Sequence, residues 1–235
     1  MDADGKHRRV LPPYEVTSLS WLPDERAIAY VPRFDIHMIK VDGPLKDRVL
    51  IHNAYGVDWA AVGRAVAFVR RRSTSPFRPD IWTFDTRTHR QRRIIRNGEE
   101  PRWSPDARKL AFVRGRDVWV VELVTRKARR LIRNAAAPSW SPDGSRIAFV
   151  RGQTPSTDGY VYIARVDGMG ERRLVKGGGP VWAPSGREIA FIAASDPRTG
   201  PGPAITRIRL DGSGRRVLAG CCGPLDWARA PRGRR

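Results

Sequence analysis

Apolar positions along the chain come in short alternating runs, as in Ile147-Ala148-Phe149-Val150. Each run stops within about six residues at Pro, Gly, Asp or a group of charges. Alternation combined with β-branched and aromatic content predicts strands, and no stretch has the length and 3.6-residue period of a helix. The runs follow a fixed order. A tryptophan ends the first strand, A. Pro-Asp-Gly, or a degenerate form of it, then supplies a tight turn: Pro presets φ, Asp accepts a backbone hydrogen bond and Gly tolerates positive φ. Strand B follows, with a small Ala at positions 29, 67, 111, 148 and 190 that lets neighbouring sheets approach closely. Strand C is the next apolar run, such as Asp80-Ile81-Trp82-Thr83-Phe84 or Asp117-Val118-Trp119-Val120-Val121. A second hairpin turn, strongest as Asp42-Gly43, Asp167-Gly168 and Asp211-Gly212, leads to strand D, as in Arg93-Ile94-Ile95.

This unit occurs five times, from Trp21 to Tyr30, Trp59 to Phe68, Trp103 to Phe112, Trp140 to Phe149 and Trp182 to Phe191, always with nine residues from tryptophan to aromatic. Successive tryptophans, with Trp227 as the sixth, are 38, 44, 37, 42 and 45 residues apart, the length of one four-stranded propeller blade. One blade cannot bury both faces of its sheet, so the copies must pack around an axis. The expected fold class is therefore all-β: a β-propeller of four-stranded antiparallel blades in one domain, residues 1–235. Five complete blades are expected at about 15–52, 56–97, 99–134, 137–176 and 179–219. Residues 1–12 and 223–235 are expected to form an incomplete sixth blade, with strand D from the start of the chain and strand A from its end. A tolerated half blade and a chain cut from a longer protein both account for that pattern.

Trp140-Ser141-Pro142-Asp143-Gly144 followed by Ile147-Ala148-Phe149 resembles the TolB-like β-propeller repeat family, a WD-like repeat. The copy from Trp103 to Phe112 departs from that signature only in lacking the Gly. The resemblance spans essentially the whole chain. It implies a bacterial propeller engaged in protein interaction, often in the periplasm or another extracytoplasmic place, and related propellers form the substrate gate of prolyl-oligopeptidase-type peptidases. Because fold does not fix activity, three readings follow: a non-catalytic scaffold for protein–protein interaction, a gating fragment of such a peptidase, and an anion- or nucleic-acid-binding module.

Charge sharpens the choice of partner. The chain has 44 Lys and Arg against 24 Asp and Glu, a formal net charge of +20, and only six of the 44 are lysines. Such a surface attracts acidic proteins, phosphates and nucleic acid, although heavy arginine usage also arises from GC-rich coding. The two cysteines, Cys221 and Cys222, are adjacent. That arrangement excludes a disulfide framework and a zinc site, and leaves two loop thiols or a vicinal disulfide. No apolar run approaches the roughly 20 residues of a membrane span. The first residues lack the apolar core of a secretory signal, so a cytoplasmic place follows if Met1 is the authentic start, and an extracytoplasmic one if a longer exported parent exists.

Loop lengths place the candidate sites. A–B turns are constant, whereas B–C loops are long at 70–79, 151–159 and 193–203, and variable loops on a rigid scaffold commonly carry recognition. Arg70, Arg71, Arg72 and Arg78 form the densest basic cluster there, with guanidinium geometry suited to a carboxylate or phosphate. D–A loops cross the same face and are expected to bring His52, Asn53, Tyr55, Asn97, Glu99, Glu100 and Asn134 to the channel mouth as candidates for a small ligand. Asp58, Arg102 and Asp226, each preceding a tryptophan, suit contacts between blades, and the tryptophans suit the core. No Gly-x-Ser-x-Gly elbow occurs, and His7, His37, His52 and His89 show no ligand spacing. The expectation is thus a monomer without catalytic residues, metal or cofactor that binds a protein partner of acidic character, with nucleic acid as the weaker alternative.

Overall fold

The computed structural model describes residues 16–41, 46–70, 79–152, 159–194, 202–220 and 225–226. Blade 1 comprises β1 (Ser18–Trp21), β2 (Ala27–Val31), β3 (Ile36–Lys40) and β4 (Asp47–Ile51). Blade 2 comprises β5 (Tyr55–Trp59), β6 (Ala65–Arg70), β7 (Asp80–Asp85) and β8 (Gln91–Arg96), and blade 3 comprises β9 (Glu99–Trp103), β10 (Lys109–Arg114), β11 (Asp117–Glu122) and β12 (Ala128–Ile132). Blade 4 contains β13 (Ala136–Trp140), β14 (Arg146–Arg151), β15 (Tyr160–Arg165) and β16 (Arg172–Lys176), and blade 5 contains β17 (Gly178–Trp182), β18 (Glu188–Ala193), β19 (Ala204–Arg209) and β20 (Arg216–Gly220). Each is a separate antiparallel sheet in the order A-B-C-D, so the fold is a β-propeller with five four-stranded blades. The segments assigned from sequence to a sixth blade lie outside the described residues except for Leu225 and Asp226. No helix among the described residues is long and apolar enough to cross a membrane.

The A–B turn explains the repeat signature atom by atom. In blade 4 the Ser141 hydroxyl accepts the Arg146 N–H at 2.9 Å and donates to Asp143 at 2.5 Å, while Asp143 accepts the Ser145 N–H at 3.0 Å. Blade 3 repeats this arrangement with Ser104, Asp106, Arg108 and Lys109. The fourth residue after the tryptophan is left-handed in every blade: Gly63, Gly144 and Gly186 accommodate this freely, but Glu25 and Ala107 adopt it with φ of 57° and 55°, at a cost of roughly 1 kcal/mol each. Hydrogen bonds from Ser141 and Ser145 hold the Asp143 carboxyl down at about 2. Asp35, Asp85, Asp106 and Asp211 are lowered as well, each led by a hydrogen bond to a turn or corner.

Those shifts fix the sign of acid behaviour. Carboxyls depressed in the folded state contribute stability above their unfolded pKa of about 4, and that stability is lost as pH falls toward about 2. Glu99 runs the other way, since burial first and the Glu100 charge second push it up; its contribution is lost as pH rises through its folded value. With five groups against one, the denaturation midpoint should fall between about pH 4 and pH 2. Asp143→Asn should flatten that fall. An unchanged midpoint across the window would contradict the assignment.

Blades interlock through a large residue and a small one. Phe68, Phe112, Phe149 and Phe191 on strand B are fully buried, and Phe68, for example, packs with Ala29, Val31 and Ile36 of the blade before it. The strand-B alanine of each blade makes room for the tryptophan of the next: Ala29 clusters with Trp59, Ala67 with Trp103, Ala111 with Trp140 and Ala148 with Trp182. Strand A is the inner strand, because β1, β5, β9, β13 and β17 contact one another in succession.

As an edge strand, A must satisfy or remove its outward N–H groups. It does both. In three blades the residue before the tryptophan reaches the next blade: Ser20 accepts the Trp59 N–H at 2.9 Å, Asp58 the Trp103 N–H at 2.6 Å and Ser139 the Trp182 N–H at 3.4 Å. Asp226 accepts the Trp21 N–H at 2.8 Å, which seats its segment beside blade 1. Two residues before the tryptophan, Val57 donates its N–H to Ser18, whereas Pro101, Pro138 and Pro180 have none to donate.

Candidate functional site

The residues selected from sequence divide between two places. Asn53, Asn97 and Asn134 form the D–A corners in left-handed conformation, with φ of 54°, 53° and 48°. Each corner is tied to the first residue of strand C or the residue just before it. Asp35 accepts the Asn53 N–H at 2.8 Å, Asp80 the Asn97 N–H at 3.2 Å and Asp117 the Asn134 N–H at 3.0 Å. The second carboxylate oxygen meets a cation or imidazole: His52 at 3.3 Å, Arg93 at 3.4 Å and Arg130 at 3.3 Å. His52, Asn53, Asn97 and Asn134 therefore sit over strand C, one strand in from the rim. Tyr55, Glu99 and Glu100 belong to strand A, and Tyr55 packs against the cores that join blade 2 to blades 1 and 3. Glu100 is left-handed and accepts the Ala137 N–H of the next blade at 2.6 Å, a further inner-edge cap.

Arg70 closes the same corner from the neighbouring blade. Its guanidinium lies 5.3 Å from the Phe68 ring and 5.4 Å from the Trp82 ring, and donates to the His52 carbonyl at 3.4 Å. Arg114 repeats this on Phe112 and Trp119 with the Arg96 and Asn97 carbonyls, and Arg151 on Phe149 and Tyr162 with the Arg133 carbonyl. Burial lowers the Arg70 and Arg114 pKa. These three arginines, at the ends of β6, β10 and β14, are joints between blades. Arg71, Arg72 and Arg78 lie outside the described residues, as do Cys221 and Cys222.

A cavity of about 340 Å³ opens at the other end of the channel, on the A–B turn face. Every blade contributes: Trp21, Trp59, Trp103, Trp140 and Trp182 form its wall, with Pro23, Pro105, Pro142 and Pro184 at the lip. The tryptophans are thus both core and lining, since the four from Trp59 to Trp182 are buried yet border the cavity. Its charged members are Glu25, Asp58, Asp226 and Arg102. Five residues after the tryptophan, following the A–B turn, stand Arg26, Arg64, Arg108 and Arg187, all exposed, while blade 4 has Ser145 followed by Arg146. Their carbonyls accept N–H groups of Val41, Thr86, Leu123 and Leu210, which fixes the end of each of these A–B turns against the end of strand C. The recurrence of Arg at this position in four of the five blades is visible in the sequence. Among the described residues no group of three or more His, Cys, Asp or Glu is arranged to hold a metal.

Residues 60–137 match the family described as the dipeptidyl peptidase IV (DPP IV) N-terminal region. Among curated proteins none matches the sequence. In solved structures the chain is similar to putative TolB from Agrobacterium tumefaciens, with a TM-score of 0.77 and 17% identity over 92% of this chain and 86% of that one. It is also similar to TolB from Acinetobacter baumannii, with a TM-score of 0.72 and 19% identity over 86% of this chain, spanning 53% of that protein. The β-propeller domain of the Trilobed protease from Pyrococcus furiosus gives a TM-score of 0.56 and 16% identity over 88% of this chain and 72% of that one. The chain therefore has the fold of TolB-like β-propellers, shared with peptidase propellers, and at these identities the likeness is one of fold.

Proposed function

We propose that the chain is a non-catalytic docking module that receives an acidic protein partner on its A–B face, over the channel mouth. The observation that carries this reading is a cavity lined by all five blades on the A–B turn face, where four of the five turns are followed by an exposed arginine. Arginines at other repeat positions, such as Arg70, Arg93, Arg114, Arg130 and Arg151, are engaged within the fold. The arginines that follow the A–B turns are exposed on the face where the cavity opens, which suits that part of the +20 charge to steering and orienting a negative surface.

The test is a partner recovered by pull-down from the source cells, with its affinity then measured for charge-reversed variants. Arg64→Glu with Arg108→Glu should weaken it about tenfold or more, the equivalent of roughly 1.4 kcal/mol. Arg71→Glu with Arg72→Glu, in the segment between β6 and β7, should change it less than about twofold. The opposite ranking would move the interface to that segment. Retention of DNA that survives moderate salt would instead favour nucleic acid.

A second reading, the gating propeller of a peptidase, is supported by the match over residues 60–137 and by a likeness to Pyrococcus horikoshii acylaminoacyl peptidase, with a TM-score of 0.53. An in-frame α/β-hydrolase region in the gene would favour it.

A further inference from the structure

We infer that the step from blade 3 to blade 4 in the channel wall holds a site for one carboxylate, the side chain of a Glu or Asp on the docked partner. This deepens the docking proposal and rests on it. Of the five repeat tryptophans, four donate their backbone N–H to the side chain that precedes another tryptophan of the ring: Trp21 to Asp226, Trp59 to Ser20, Trp103 to Asp58 and Trp182 to Ser139. Trp140 keeps the same register against strand B, opposite Ile147 as Trp59 is opposite Val66 and Trp182 opposite Ile189. Its backbone N–H therefore faces the same way. The residue that should accept it is Arg102, and a guanidinium has no acceptor. Among the described residues no side chain takes that N–H, and a donor left so is met by water or by a ligand.

Arg102 and Trp140 both border the cavity. The Arg102 backbone is held in place, since its carbonyl accepts the Trp140 indole N–H at 3.0 Å. Its guanidinium donates to the Pro101 carbonyl at 3.2 Å and forms no ion pair among the described residues. A carboxylate has one oxygen for the N–H and one for the guanidinium. Asp58 displays the first of these contacts one step earlier in the ring, with its carboxylate on the Trp103 N–H at 2.6 Å. Asp58 and Asp226 each serve a different tryptophan, so the guest takes the step where the chain supplies a cation in place of an acceptor. The tryptophan and proline wall receives the methylenes of its stem. At about 340 Å³ the cavity has the volume of roughly ten waters, enough for one side chain but not for a folded element.

Three peptides without aromatic residues test this with the full chain, read by calorimetric titration and by its tryptophan fluorescence. One, blocked at both ends, has Glu between two Ser pairs; the second has Gln in place of that Glu; the third has only Ser and Ala and ends in a free carboxylate. The Glu peptide should bind about tenfold tighter than the Gln peptide. Arg102→Ser installs the residue found at this position in blades 1 and 4, so the variant should fold, and it should narrow that gap to about twofold. Arg92→Ser removes the same charge from an exposed position on β8 and should leave the gap unchanged. Hydrogen exchange at the Trp140 amide should slow when the Glu peptide saturates the protein, and in Arg102→Ser without peptide. A Glu preference that survives Arg102→Ser overturns the site, and tighter binding of the free-carboxylate peptide overturns the side-chain source. With the recovered partner, an affinity unchanged by Arg102→Ser but weakened by Arg64→Glu with Arg108→Glu overturns the carboxylate site and leaves the docking face standing. An affinity unchanged by all three substitutions overturns both.

Discussion

Replacing Gly177 by alanine should destabilise the protein by about 3 kcal/mol or more, which urea denaturation would read directly. Gly177 follows strand D of blade 4, where the chain turns inward, and occupies the repeat position filled by Ala54, Gly98 and Ala135 in blades 1 to 3. A Cβ there would lie 2.5 Å from the Ile192 carbonyl oxygen and 2.6 Å from Phe191 Cδ2. The first of these is backbone of the central strand β18, and the second belongs to a fully buried ring that locks blade 5 onto blade 4. Neither can retreat cheaply. The φ of 145° adds strain for any residue with a Cβ. Gly98→Ala is the control: its Cβ would meet only side-chain atoms, with Ile81 Cδ1 and Ile95 Cγ2 at 2.9 Å, and its φ lies outside the left-handed region, so a loss of about 1–2 kcal/mol is expected. A Gly177→Ala loss below that of Gly98→Ala would show that the blade 4 corner yields.

Asp80→Ala should lose about 3 kcal/mol, more than twice the loss at Asp117→Ala. Both carboxylates do the same work, accepting a corner N–H and facing an arginine. They differ in surroundings: the Asp80 side chain is 3% exposed and that of Asp117 is 22%. Removing Asp80 leaves the Asn97 N–H without its acceptor beside a nearly closed carboxylate site, while the partly exposed Arg93 guanidinium keeps access to water. At Asp117 solvent is within reach of both partners. Thermal denaturation of the two variants separates burial from bonding, and equal losses would mean that the carboxylate contributes through bonding alone.

The architecture was legible because its signature is chemical as well as periodic. Ser141, Pro142, Asp143 and Gly144 each have a distinct duty in one turn, so their recurrence identified the hairpin and the tryptophan spacing identified the blade. The corners were less legible. Asn53, Asn97 and Asn134 looked like ligand-type residues beside a mouth, but asparagine also tolerates the left-handed conformation a corner needs, and the tie to Asp35, Asp80 and Asp117 spans 17 or 18 residues. Arg70 was chosen for its neighbours in sequence, whereas its place depends on rings two strands wide and on a carbonyl of another blade. The A–B cavity is a property of the ring as a whole. No single repeat shows that five turns with no variation in length converge on one opening.

The inner strand has one more consequence. With Pro101, Pro138 and Pro180 lacking an N–H, and with the tryptophan N–H groups of blades 1, 2, 3 and 5 already taken by neighbouring side chains, the channel wall offers few backbone donors to an incoming chain. Annealing of a foreign strand along the channel, the commonest way in which a sheet edge captures peptide or templates aggregation, is therefore disfavoured. Whatever enters is selected by side chains, and the propeller can keep an open bore without exposing an adhesive seam.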